Sequence, residues 1–151
     1  MIKFLVVAAL AGGLVLAAWI RLAPHDPARW HEDPALVSRP KSQNYHLIRL
    51  VGGDAIAPIY ATAPNVLAQT LDGIARADGA TLLAGSVASG HMTYVSRSRI
   101  MGFPDYTSVR VERAGAGATF AAFARARFGH SDMGVNRARL ERWQAALDAT
   151  L

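Results

Sequence analysis

At 151 residues the chain is long enough for one domain with a real core and too short for two of ordinary size. With 52% apolar residues and a formal charge of +5 it has the composition of a globular protein, not a disordered one. The absence of cysteine excludes disulfides, thiolate metal sites, a cysteine nucleophile and the cysteine of a lipoprotein anchor.

The first feature along the chain is an uninterrupted apolar run, Phe4 to Ile20, between Lys3 and Arg21. As a helix it is roughly 26 Å long, close to the ~30 Å hydrocarbon thickness of a bilayer. Arg21 can snorkel, and Trp19 falls at headgroup level, where indole is favoured. Residues 1–23 therefore read as a single-pass transmembrane anchor. The alternative is a signal peptide cleaved after Ala17 or Ala18. Either way the remainder is exported, and with Lys3 inside it lies on the periplasmic side of an inner membrane.

Residues 24–56 carry four prolines in their first half and no sustained period, which suggests an extended linker packed on the domain, with Trp30 as a packing anchor. Tyr45 to Val51 reads as an edge strand closed by Gly52-Gly53-Asp54. Residues 57–151 form the domain proper. Thr62 is placed to cap a helix that starts at Pro64, buries Leu67, Leu71 and Ile74, and stops at Asp78-Gly79. Four strands follow at about 80–88, 91–99, 106–113 and 118–127, and the short turns between them require an antiparallel meander. In the third, Thr107, Val109 and Val111 alternate with Ser108, Arg110 and Glu112, which predicts one buried and one wet face. Ser131-Asp132 then opens a last helix whose stripe is Met133, Asn136, Leu140, Trp143 and Leu147, with Arg137, Arg139 and Arg142 pointing outward. The fold class is α+β: a transmembrane helix, then a mainly antiparallel sheet of four to five strands packed by two helices.

Ser96-Arg97-Ser98-Arg99, Phe103-Pro104-Asp105-Tyr106 and the run from Arg125 to Leu140, with its Gly129-x-Ser131-Asp132-x-Gly134-x-Asn136-x-x-Arg139 pattern, resemble the bacterial domain-of-unknown-function family 1499 over roughly residues 57–149. The resemblance implies a small exported or membrane-associated protein and brings no activity with it. Many members open with a cysteine-containing Pro-Asn-Cys-Val segment, where this chain has Asp33-Pro34-Ala35-Leu36.

All but two of the cations are arginine, which suits bidentate contact with carboxylate or phosphate, although base composition alone produces the same bias. Arg97 and Arg99 share a strand face, as do Arg125 and Arg127; if the meander brings them together near the last helix, they form a patch for an anionic ligand. The bland reading has Asp132 pairing with one of these arginines while Ser131 caps the helix. Asn136, on the apolar stripe, must find a partner, such as loop backbone near Gly102. His130-Ser131-Asp132 cannot form a triad, since adjacent residues do not line up as nucleophile, base and orienter. No metal spacing, phosphate loop or cofactor motif occurs, and scattered arginines do not suit nucleic acid. The sequence favours a membrane-tethered, non-enzymatic module or accessory subunit whose partners are the bilayer, through Phe4 to Ile20, and a membrane protein or anionic lipid. The alternative is a small enzyme or binding domain for an anionic ligand at the arginine patch.

Overall fold

A computed structural model describes residues 1–99 and 101–151. Helix α1 (Ile2–Leu22) is long and apolar enough to cross a membrane, as signal sequences also are, and is almost wholly uncovered by protein. Its last turn meets the rest of the chain: Ile20 is buried, and the Trp19 ring lies 5.5 Å from that of Phe128. A short helix α2 (Pro27–Trp30) follows, capped by the Asp26 carboxylate, which accepts from the Ala28 amide at 3.0 Å.

Strands β1 (Tyr45–Ile48), β2 (Thr81–Ser86), β3 (His91–Arg97), β4 (Pro104–Ala114) and β5 (Gly117–Ala126) form one antiparallel sheet in the order β1-β5-β4-β3-β2. The four-strand meander and the added edge strand are those expected from the turns. Two helices, α3 (Pro64–Ala77) and α4 (Val135–Asp148), cover one face. Leu67, Leu71 and Ala75 of α3 meet Leu140, Trp143 and Leu147 of α4 over Met92, Tyr94, Val109, Phe120 and Ala122. Trp143 sets its edge against Tyr94, ring centroids 5.8 Å apart.

Local details differ from expectation. The cap of α3 is Ala63 and not Thr62, with no side-chain hydrogen bond; Pro64 in the first turn has no amide to satisfy, which relaxes the need for one. Helix α4 starts at Val135, after Gly134 in the left-handed region at φ 80°.

The larger difference concerns the second face of the sheet. Ser108 and Tyr106 of β4 are fully buried there, so β4 has no wet face in its first half. The segment after α1 crosses this face as a strap. Trp30 stacks on Tyr106 at 3.8 Å and 6°, and the Trp30 carbonyl accepts from the Ser108 hydroxyl at 3.0 Å and from Arg125 Nη2 at 2.8 Å. Arg127 Nη1 donates to the Pro24 carbonyl at 2.7 Å, and Arg97 Nη2 to that of Arg21 at 3.1 Å. Three guanidiniums thus replace the ladder partners that an irregular segment cannot find for itself.

Histidines complete the strap. Arg97 Nη2 lies 2.7 Å from His25 Nε2, so that nitrogen accepts and Nδ1 carries the proton toward the Tyr106 hydroxyl at 2.7 Å. His31 bonds Thr93 at 2.8 Å. Burial, then Arg97 and Arg127, hold His25 below its ordinary pKa of 6.5, and burial, then His91, does the same for His31. A histidine whose folded pKa is depressed contributes stability that is complete above the unfolded value and lost as pH falls below it. The denaturation midpoint should therefore drop between about pH 8 and about pH 5, and a midpoint that rises instead would contradict the strap geometry.

Candidate functional site

The residues of the closing motif converge at the N-terminal end of α4. Asp132 precedes the helix and folds its carboxylate back over it, Oδ1 accepting from the Gly134 amide at 3.0 Å and Oδ2 from the Asn136 amide at 2.9 Å. Those amides would otherwise be orphan donors, and the negative charge is favourable at this end of the helix. Ser131 Oγ accepts from the Met133 amide at 3.2 Å.

Below lies a buried polar cluster. Arg139, one turn into α4, turns inward, contrary to the expected outward set: Nη2 meets Asp105 Oδ2 at 3.1 Å, and Nη1 donates to Asn136 Oδ1 at 2.7 Å. Asn136 is fully buried, and its amide group reaches the Asn44 carbonyl at 3.5 Å; its backbone partner is thus the segment before β1 and not the neighbourhood of Gly102. Asn44 in turn donates to the Gly129 carbonyl at 2.7 Å, which pins the motif loop to the sheet. Burial raises the Asp105 carboxyl above its ordinary 3.8, against the pull of Arg139. The hydroxyls of Ser96, directly opposite Asp105 on β3, and of Thr107, two residues along β4, are buried without a protein partner.

Above Asp105 opens a pocket of about 340 Å³ walled by Phe103, Phe128, Met133 and Val135, with Ser98, Ser131 and Asp132 around it. Its chemistry is amphipathic: an apolar wall over the Asp105 and Asp132 carboxyls. A larger, more open hollow of about 810 Å³ lies between β1 and α4, where His46 Nδ1 stands 3.9 Å from Asp54 Oδ2 and burial holds that imidazole below its usual pKa. Its walls carry an exposed pair between Arg137 and Glu141.

The arginines are elsewhere. Arg97 and Arg125 lie on the strap face, opposite α4, and Arg127 just past β5 reaches the same strap. Arg99 falls in the turn after β3, exposed. Arg125 is buried, paired with Glu32 at 2.9 Å, its guanidinium 5.2 Å from the Trp30 ring and 4.4 Å from that of Phe123; burial brings its pKa down to about 10, so it remains charged. Of the seven residues singled out in the sequence, Ser131, Asp132 and Asn136 meet at one place and the four arginines do not join them. Asp105, Arg139 and Asn44 are the members that sequence reasoning missed. Spacing offered one signal: Arg139 is three residues beyond Asn136 and so shares its helix face.

A family model described as "Protein of unknown function (DUF1499)" matches residues 27–147, beginning inside the strap. No curated protein matches the chain.

Proposed function

The chain therefore belongs to the DUF1499 family, and on that premise we propose that it is a membrane-tethered, non-enzymatic module of the inner membrane, facing the periplasm and serving as an accessory subunit of a membrane protein. The observation that carries this reading is the strap. Three arginines fix the backbone from the last turn of α1, at Arg21, through Pro24 to Trp30, so the domain does not hang on a loose linker. A domain held at a set height and angle over its anchor loses less freedom on meeting a partner in the same bilayer. The pocket above Asp105 stands at the same end of the sheet as the anchor, because Phe128 of its wall touches Trp19.

Solubilising membranes in mild detergent and identifying what co-elutes tests the reading. A stable co-eluting membrane protein is expected; full-length chain recovered from a detergent-free cytosolic fraction would overturn it.

Arg125→Ala separates this from the rival reading, an anionic ligand held by the arginines. A structural guanidinium predicts a loss of about 2 kcal/mol, seen as a Tm roughly 8 °C lower. A ligand site predicts unchanged melting and a loss of the stabilisation that added phosphate confers on the wild-type protein.

A further inference from the structure

We propose that the loop tips carrying Arg99, Met101 and Phe103 and carrying Phe128 and Met133 dip into the lipid interface beside α1, so that the domain rests on the bilayer as well as being anchored in it. The inference rests on the membrane-tethered reading and names a lipid surface as what covers this end of the sheet.

Met133 is 92% exposed at the tip of the motif loop, and its φ of 53° is the only left-handed one outside glycine among the described residues. Asp132 supplies the reason that the loop can hold it: both its carboxylate oxygens are bonded back to amides, which fixes the turn and leaves the thioether projecting. Met101 at 43% and Val135 at 47% stand exposed on the same end of the fold, with Phe103 and Phe128 partly covered between them. An apolar rim of this kind in solvent marks an interaction surface.

Its occupant follows from continuity with the anchor. Phe103 packs on Phe128, centroids 6.0 Å apart, and Phe128 on Trp19, which closes the apolar helix. Trp19 belongs at the headgroup boundary of a helix that spans, so the rings touching it lie at that depth. A β-carbon on Gly102 would stand 3.0 Å from the Arg21 side chain, so loop and anchor are in close contact, and the φ of 71° favours glycine there. Charge agrees: Arg99 is exposed on the first tip and suits anionic headgroups, whereas the acids nearby, Asp105 and Asp132, are turned inward onto Arg139 and backbone amides. The exposed apolar Val51 belongs to the other end of the sheet, because β1 runs away from Arg125 toward Ala122.

The cysteine-free chain allows a direct test on the full-length protein. Met133→Cys, Val51→Cys and, in the distal β4–β5 turn, Ala116→Cys are each labelled with a polarity-sensitive dye. Each protein is reconstituted into phosphatidylethanolamine–phosphatidylglycerol vesicles. The label at 133 should lose about half its fluorescence to nitroxide-bearing lipid and resist iodide; those at 51 and 116 should do the reverse. If protein floats with the vesicles but all three labels respond to iodide alone, the interfacial contact is wrong and the tether stands. A label at 133 shielded from both quenchers points to a protein occupant and equally overturns the proposal. Protein that fails to float with vesicles removes the tether and this inference together.

Discussion

Arg139→Ala should destabilise the domain by about 4 kcal/mol, because it strands a buried carboxylate. Asp105 and Arg139 are both almost fully covered, and Asn136 loses its donor in the same substitution. Truncating one member of such a pair removes the attraction and leaves the desolvation cost of the other. Adding Asp105→Asn to Arg139→Ala should recover part of the loss, since the stranded charge is gone. A double variant no more stable than the single one would mean that the pair does not act as a unit. The deficit should also depend on pH. Burial already raises the Asp105 carboxyl, and loss of the guanidinium raises it further. A carboxyl whose folded pKa exceeds its unfolded one lowers stability as pH climbs through that interval. Relative to wild type, Arg139→Ala protein should therefore be least stable at neutrality and recover toward about pH 4. Urea denaturation across that range reads both effects.

Trp30→Ala should cost about 3 kcal/mol and free the strap. The indole is buried, stacked on Tyr106, and roofed by Arg125 and Arg29 at 5.2 and 5.0 Å. Its removal leaves a cavity at the centre of the second sheet face while α3 and α4 stay packed on the first. The loss should accordingly be local before it is global. Hydrogen exchange at residues 29–31, whose amides bond Asp26 and Pro27 within the strap, should quicken in the variant while amides of β4 and β5 keep their protection. Uniform loss of protection across the sheet would show that the strap is integral to the core and not laid upon it.

The meander was legible because its turns are short and carry glycine, and α4 because Leu140, Trp143 and Leu147 repeat on one face. What the sequence concealed was the pairing of distant groups. Arg139 reads as outward because arginine on a surface helix usually is; only the arrival of Asp105, 34 residues earlier, makes its burial tolerable. The strap was hidden for the same reason. A proline-broken segment carries no period, and nothing local says that Arg97, Arg125 and Arg127 supply its missing partners. Ser131, Asp132 and Asn136 were found because they act within a few residues of one another.

The placement of β1 has a consequence for the order in which the chain can fold. Tyr45 pairs with Arg125, so the strand made early in synthesis waits for one made near its end. Until β5 has emerged, the sheet lacks the partner of its N-terminal edge, and the strap has neither Arg125 nor Arg127 to hold it. The N-terminal edge of the sheet and the strap therefore close only after β5 has been made. In a domain exported as proposed above, that order would keep the chain threadable and date its seating on the anchor to after export.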